Sequence, residues 1–452
     1  MELSTGNLTL IAAYFLIVFA IGFWVKKRES VREYLNADRK VGLLQTTASI
    51  VAVMGGMILV AQATLGFEMG IAAAWYFAGF ALGMVFLGLC VGKVKKIATE
   101  KNFLTLADYF AEKFDHKNKI LSAVIIFTAL FFLLVGQFIA AGSLFSPLLG
   151  INYSAAVLLM MVGVLVYLVL GGFKAVIKTD LLQFFIMAIV FGSILFVINI
   201  GDYTPEQVDI SSVGGSYIII FLLLGTFAVL SGADIWQRVF SAKDIKTARN
   251  ASFISAILFF IFGTVLTVIG MAAKNNFPTI KSEEALYYGL FHLIPLPLMG
   301  IAIIFVLAAI MSTIDTELFY LSSSISKDFL QKKTDTSDDA LAKNIRKYIL
   351  VLAIISALIA IFFSNILTIV FGIVSLSLAV SPSLAASFFW KIKNNAVFMS
   401  MLAGLISLIL LVVTGNFNPD SSIITLPVAI VFLIIGQIIF KKKGVLKNEI
   451  HP

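Results

Sequence analysis

The residues best equipped for chemistry lie in one apolar stretch, LAAIMSTIDTELFYLSSS, at positions 307–324. Ala309, Ser312, Thr313 and Thr316 recur at helical spacing, so on a helix they share a face. Hydroxyl groups, joined by backbone carbonyls freed from an unwound helix, suit a small hard cation that takes oxygen ligands. Asp315 stands one turn beyond Ser312. A carboxylate in the middle of so apolar a helix needs a partner, a bound ion or a proton. Glu317 raises the same question two residues on. Ser322–Ser324 do not, because serines in a helix bond the carbonyls of the preceding turn without any ligand.

Two other apolar runs carry glycines where a helix would be interrupted. One is ASIVAVMGGMILVAQATLGFEMG (48–70), with Gly55-Gly56 at mid-length. The other is LLLGTFAVLSGADIWQR (222–238), with Gly232 and Asp234 near its end. Backbone at membrane depth is irregular only where it is buried in protein or lines a cavity. Glycines can also serve close helix packing, and that reading suffices for Gly79, Gly83, Gly88 and Gly92. The GxxxxGK-like stretch at Gly88–Lys93 lacks the Ser/Thr of a phosphate loop.

The elements that must position these residues are membrane helices. Of 452 residues, 60% are hydrophobic and 13% charged, against roughly 25% charged in soluble domains. A globular fold cannot hide that much apolar surface, so lipid must act as its solvent. At about 20 residues per crossing, the apolar runs give thirteen spans. They lie near 7–25, 43–66, 71–92, 120–147, 154–172, 180–200, 215–236, 249–273, 295–325, 347–364, 366–390, 396–414 and 423–440. With the N-terminus outside, every Lys and Arg except Lys274 and Lys281 falls on the cytoplasmic side. That partition supports both the count and an N-out, C-in orientation in a cell (inner) membrane. The net charge of +8 is spread over these short loops, which argues against a nucleic-acid partner. The single cysteine, Cys90, excludes an intrachain disulfide, and His116, His292 and His451 show no metal-ligand spacing.

The interrupted runs open the first and the second of two consecutive sets of five spans. Five is odd, so the second set crosses the bilayer in the opposite sense. Broken helices at matching positions of inverted halves point to a transporter site. The expected organisation is an all-α polytopic protein: an N-terminal accessory helix with its loop (1–42), a first repeat (43–202), a second, inverted repeat (203–391), and two C-terminal accessory helices with a tail (392–452). The charged stretch 327–347 is expected as a cytoplasmic linker. No nucleophile–base pair or redox ligand set suggests an enzyme, and a single polar knot does not line a channel.

Three segments carry a family resemblance: GGFKAVIKTDLLQ (Gly171–Gln183), ADIWQRVFSAK (Ala233–Lys243) and AAIMSTIDT (Ala308–Thr316). Together with thirteen spans of matching order, they resemble the sodium/solute symporters that include proline, sugar and sialic-acid carriers. The resemblance implies a leucine-transporter-type inverted-repeat fold and alternating access. It implies a sodium ion held by the carbonyls of Val51, Met54 and Ala309 and the hydroxyls of Ser312 and Thr313. Some members of the family bind a second sodium, and the matching positions here are Asp180, Ser312, Asp315 and Thr316. Asp315 departs from the family's small hydroxyl residues, so a proton taken up at Asp180/Asp315 is the alternative coupling. A solute sensor of the same fold is the remaining alternative.

The solute contacts expected from the two breaks are Gly55, Gly56, Gln62, Trp75, Gln137, Asp234 and Trp236. Val53, Gly55 and Ile58 stand where several relatives present hydroxyls, and a sugar's hydroxyls would go unpaired there. The expectation is therefore a small, partly apolar solute, an amino acid or a monocarboxylate. The helix end at Gly55-Gly56 is suited to receive a carboxylate.

Overall fold

The computed structural model of the chain describes residues 5–26, 34, 37–197, 203–295, 299–330, 337–362, 366–418 and 421–445. Outside them lie most of the basic segment after the first span, part of the 327–347 linker, the tail, and the ends expected for the sixth, ninth and tenth spans. The chain enters as α1 (Thr5–Lys26) and continues as an interrupted pair, α2 (Leu43–Ala52) and α3 (Gly56–Met69). Next come α4 (Ala74–Glu100), the short α5 (Leu106–Lys113), α6 (His116–Leu149) and the long α7 (Tyr153–Val197). A second interrupted pair follows, α8 (Gly214–Ser231) and α9 (Ala233–Ser241). Then come α10 (Ile245–Asn276), α11 (Ala285–Phe291), α12 (Met299–Ser324), α13 (Asp338–Phe362) and α14 (Ile366–Ser387). The last two helices are α15 (Asn394–Val413) and α16 (Thr425–Val445).

Among the described residues, eleven helical stretches are long and apolar enough to cross a membrane. Two of them, Gly56–Glu100 and Tyr153–Ile194, run for 45 and 42 residues, about twice what one crossing needs. Each is divided by a glycine at positive φ, Gly70 at 64° and Gly172 at 51°, where an L side chain is strained. At Gly172 an added Cβ would also meet the Tyr34 ring at 2.3 Å. Divided at these glycines, with α2 added to the short limb Gly56–Met69, the stretches come close to the thirteen crossings expected from the sequence. One revision concerns residues 173–179. Read as a loop between spans, they are helical, and the two limbs of α7 meet directly at Gly172. Likewise Asp338–Lys347, read as linker, already belongs to α13.

Helix ends are set locally. The Asp115 carboxylate accepts from the Asn118 amide at the start of α6, and Asp244 does the same with Thr247 for α10. Gly150, left-handed at φ 64°, closes α6. The glycines of α4 allow close approach: a Cβ on Gly79 or Gly83 would fall 2.6 Å or 2.7 Å from an α8 carbonyl. Leu16, Leu89, Ile189 and Phe362 stand outward, as a lipid solvent permits. α12 packs against both α6 and α7, and its polar residues 312–317 are fully buried. Among the described residues, the span that carries these acids and hydroxyls is thus the most buried of the bundle.

Candidate functional site

The first break spans Val53–Gly55, between α2 and α3. Here the helical ladder gives way to tight bonds, Met54 N–H to Val51 O at 3.1 Å and Gly55 N–H to Val53 O at 2.6 Å. The hydroxyls of α12 meet this unwound backbone. Ser312 Oγ donates to Ala52 O at 2.7 Å and to Ala309 O at 3.1 Å. Thr313 Oγ1 lies 3.4 Å from Val53 O and 3.3 Å from Ala309 O. Five oxygens therefore converge, three from carbonyls and two from hydroxyls. The break carbonyls that the α12 hydroxyls reach are those of Ala52 and Val53; those of Val51 and Met54, expected from the resemblance, take no bond from either hydroxyl. Within the turn Val51 O accepts from the Met54 amide and Val53 O from the Gly55 amide.

The close fit depends on Gly55 and Gly56. A Cβ on Gly55 would lie 2.2 Å from Thr313 Oγ1 and 2.8 Å from Gln137 Nε2, and one on Gly56 would lie 2.1 Å from Ile310 Cγ1. Gln137 Oε1 accepts from the Met57 amide at 3.1 Å, which ties the start of α3 to α6. Gly55→Ala is expected to leave the helices folded but to cut initial uptake by about 100-fold, as a displacement near 1 Å does elsewhere. Initial rates in vesicles with matched amounts of protein test this, and a near-normal rate would show that the break is not held against α12.

Below the five oxygens lies a charged knot whose hub is Arg238 on α9, fully buried. Its Nε donates to Ser49 O at 2.8 Å and Ser49 Oγ at 2.7 Å. One terminal nitrogen reaches Asp234 O at 3.1 Å. The other reaches Asp180 Oδ2 at 3.2 Å and Thr316 Oγ1 at 2.5 Å. Ser49 Oγ also donates to Asp180 Oδ2. Asp315 takes a separate partner: Tyr167 OH donates to its Oδ2 at 2.6 Å, with Thr179 Oγ1 at 3.5 Å. The sequence reading missed Arg238, assigning it by its position after the seventh span to the cytoplasmic loop. Two of the four positions expected for a second ion, Asp180 and Thr316, are thus bridged by a guanidinium.

Four buried carboxyl groups, Asp180, Asp234, Asp315 and Glu317, surround this one guanidinium. Both oxygens of Glu317, Oδ1 of Asp180 and Oδ2 of Asp234 have no hydrogen-bond partner.

Of the expected solute contacts, Asp234 lines a cavity of ≈ 90 Å³ between the two broken helices, α6 and α14. Its walls include Val53, Met57, Tyr76, Leu130, Ile235 and Val374. The others lie elsewhere. Gln62 Nε2 is bonded to Ala73 O and Thr267 Oγ1, Trp75 Nε1 to Ile210 O, and Trp236 Nε1 to Leu230 O. In these three the side-chain nitrogen is spent on backbone or side-chain partners, while Gln62 Oε1 has none among the described residues.

One end of the bundle is closed by ion pairs between α5 and the end of α12. Lys327 Nζ lies 2.6 Å from Asp108, Lys119 lies 3.1 Å from Asp328, and Thr105 Oγ1 donates to Asp328 at 3.1 Å. Burial pushes the Asp108 carboxyl up, but Lys327, the Leu104 amide and Lys119 outweigh it and hold the group below the usual carboxylate range. A group so lowered contributes its stabilisation above its unfolded-state value, and that contribution is lost as pH falls through the folded one. The clasp is therefore intact at neutral pH. Asp108→Asn is expected to lower amide-exchange protection across Leu106–Lys113 at least tenfold at pH 7, and unchanged exchange would mean the clasp does not hold α5.

Comparison with known proteins places this geometry. A model of the sodium:solute symporter family matches residues 34–205 and 199–404. The osmoregulated proline transporter OpuE of Bacillus subtilis is 27% identical, over 94% of this chain and 92% of that one. The sodium/proline symporter of Escherichia coli is 27% identical, over 90% and 88%. Among solved structures, a sodium-coupled sialic acid symporter in a substrate-bound outward-open state superposes with a TM-score of 0.76. It is 16% identical, and 97% of this chain and 98% of that one are covered. A nucleobase-cation-symport-1 transporter gives a TM-score of 0.55 at 12% identity, over 91% and 95%. The chain belongs to the sodium:solute symporter family: it is a multi-pass membrane transporter that couples sodium to the movement of a small solute, and not an enzyme.

Proposed function

We propose that the coupling sodium binds where the Ser312 and Thr313 hydroxyls meet the unwound backbone, with the carbonyls of Ala52, Val53 and Ala309. This convergence of five oxygens is the observation that carries the reading. Each hydroxyl now donates to a carbonyl. A cation entering between them turns the hydroxyl lone pairs inward, and every oxygen becomes a ligand. Val51 and Met54 flank the site and shape the turn. Because Arg238 already bridges Asp180 and Thr316, the first site is assigned to sodium, and Asp315 is where a second sodium or a proton is taken up.

In this reading residues 43–202 and 203–391 are the inverted repeats, with 1–42 and 392–452 as accessory segments. The N-terminus is outside and the C-terminus cytoplasmic in an inner membrane, so the Asp108–Lys327 clasp faces the cytoplasm. Lipid surrounds the helices, and no nucleic acid is involved. The solute occupies the cavity between the broken helices. At roughly 10–15 Å³ per water-sized group, ≈ 90 Å³ takes about six to nine such groups. The N-terminus of α3 at Gly56 suits a carboxylate. The curated relatives are named for proline, and a compact amino acid or monocarboxylate of that size is the proposed cargo.

The test is uptake of labelled amino acids, monocarboxylates, sugars and nucleobases into sealed vesicles under imposed gradients. Sodium-driven accumulation of a small acid or amino acid is expected. Accumulation driven by protons alone would move the coupling to Asp315.

A further inference from the structure

The cavity between the broken helices is apolar except at a few points, and only one of these carries charge. Its lining includes Tyr76, Ser231, Ser377 and Asp234. The Ser231 hydroxyl is spent on the Phe227 and Ala228 carbonyls of its own helix. Asp234 is different. It sits in the first turn of α9, close to the helix N-terminus. The residue is 3% exposed, and its Oδ2 has no hydrogen-bond partner. Arg238, one turn on, binds the Asp234 carbonyl rather than its carboxylate, and commits its other nitrogens to Ser49, Asp180 and Thr316.

We infer that Asp234 is the counter-ion for a protonated amine on the solute, and so the residue that selects amino or imino acids over monocarboxylates. The inference rests on the proposed solute cavity. A carboxylate held by a helix N-terminus in an apolar cavity stays charged at neutral pH only if something cationic or protic meets its free oxygen. A monocarboxylate would bring a second negative charge against it. A zwitterion meets both demands, with its ammonium at Asp234 and its carboxylate towards the first turn of α3, which lines the cavity through Met57 and Ile58. Glu317 and Asp180, the other acids of this cluster with unpartnered oxygens among the described residues, are not part of the cavity wall and add to the negative field that an ammonium would balance.

Matched solutes decide the matter. L-proline and cyclopentanecarboxylate share ring and carboxylate and differ in the amine, as alanine and propanoate do. Sodium-driven uptake of each is measured in vesicles containing the wild-type chain, Asp234→Asn and Asp234→Glu. The wild type is expected to prefer the amine-bearing member by at least about 100-fold, since a site built to bind an N–H rejects analogues lacking it. Asp234→Asn should shrink that preference below tenfold, while Asp234→Glu keeps it at a reduced rate. The sodium concentration for half-maximal uptake should stay within twofold in both variants, because Asp234 is not among the five oxygens. Equal wild-type uptake of the amine-free acids overturns the inference and leaves the sodium-coupled reading standing, and it decides even if Asp234→Asn does not fold. An undiminished preference in Asp234→Asn also overturns it. Sodium-driven uptake of neither member of any pair overturns the proposed cargo and the inference with it.

Discussion

Arg238→Met is expected to be the most damaging single change in the chain. It leaves the Asp180 carboxylate buried with only the Ser49 hydroxyl, and strips Thr316 and the Asp234 carbonyl of their donor. Removing one partner of a buried pair costs about 3–5 kcal/mol, because the remaining charge is uncompensated. That is a large share of the 5–15 kcal/mol that holds most domains together. Thermal unfolding of purified protein should show a clear loss of stability, with little folded protein recovered. Adding Asp180→Asn to the same chain removes the orphaned charge, so the double variant should be more stable than Arg238→Met alone. That sign of coupling identifies a charge pair. If the double variant is the sum of the singles, the two groups do not act on each other.

The second large effect belongs to the hydroxyls of α12. Ser312→Ala and Thr313→Ala each remove one of the five oxygens at the break while adding no bulk. A hydrogen bond or ligand contact to a charged partner is worth about 1.5–3 kcal/mol, which corresponds to roughly a 10- to 100-fold rise in the sodium concentration for half-maximal uptake. The pair together should come close to abolishing sodium dependence. Solute selectivity at saturating sodium should change little, since neither residue lines the cavity. Thr313→Ser keeps the oxygen and should keep the sodium affinity. A sodium requirement unchanged in both alanine variants would remove these hydroxyls from the site.

Much of this was legible in the sequence, for identifiable physical reasons. A bilayer imposes long apolar runs and confines Lys and Arg to one side, so span number follows from composition alone. The two helix breaks were legible because glycine pairs and a Gly-x-Asp in an apolar run have few other uses. Ser312 and Thr313 stood out because hydroxyls on one face of a central span invite a ligand.

What stayed hidden depends on contacts far apart in the chain. Arg238 looked like a loop cation because it follows the seventh span by only two residues. Its burial arises because α9, a separate helix after Gly232, packs against α2 and α12, which brings Arg238 against Ser49, Asp180 and Thr316. Gln62, Trp75 and Trp236 looked like solute contacts by proximity to the breaks. Their side-chain nitrogens are taken up by Ala73 and Thr267, Ile210, and Leu230, partners that no spacing rule reveals. The register of the break was ambiguous for a related reason. Which carbonyls the α12 hydroxyls reach depends on the tight turn at Val53–Gly55, a local geometry that sequence does not specify.

The central claim is that sodium binds at the five oxygens between the α2–α3 break and α12. Its most direct test is sodium binding to the purified wild-type chain and the Ser312→Ala/Thr313→Ala double variant in the absence of solute, read calorimetrically at constant ionic strength with choline as the replacement cation. Saturable sodium binding by the wild type, lost in the double variant while its unfolding temperature is retained, is the predicted result. Equal sodium binding by both folded proteins would contradict the assignment and place the coupling ion elsewhere.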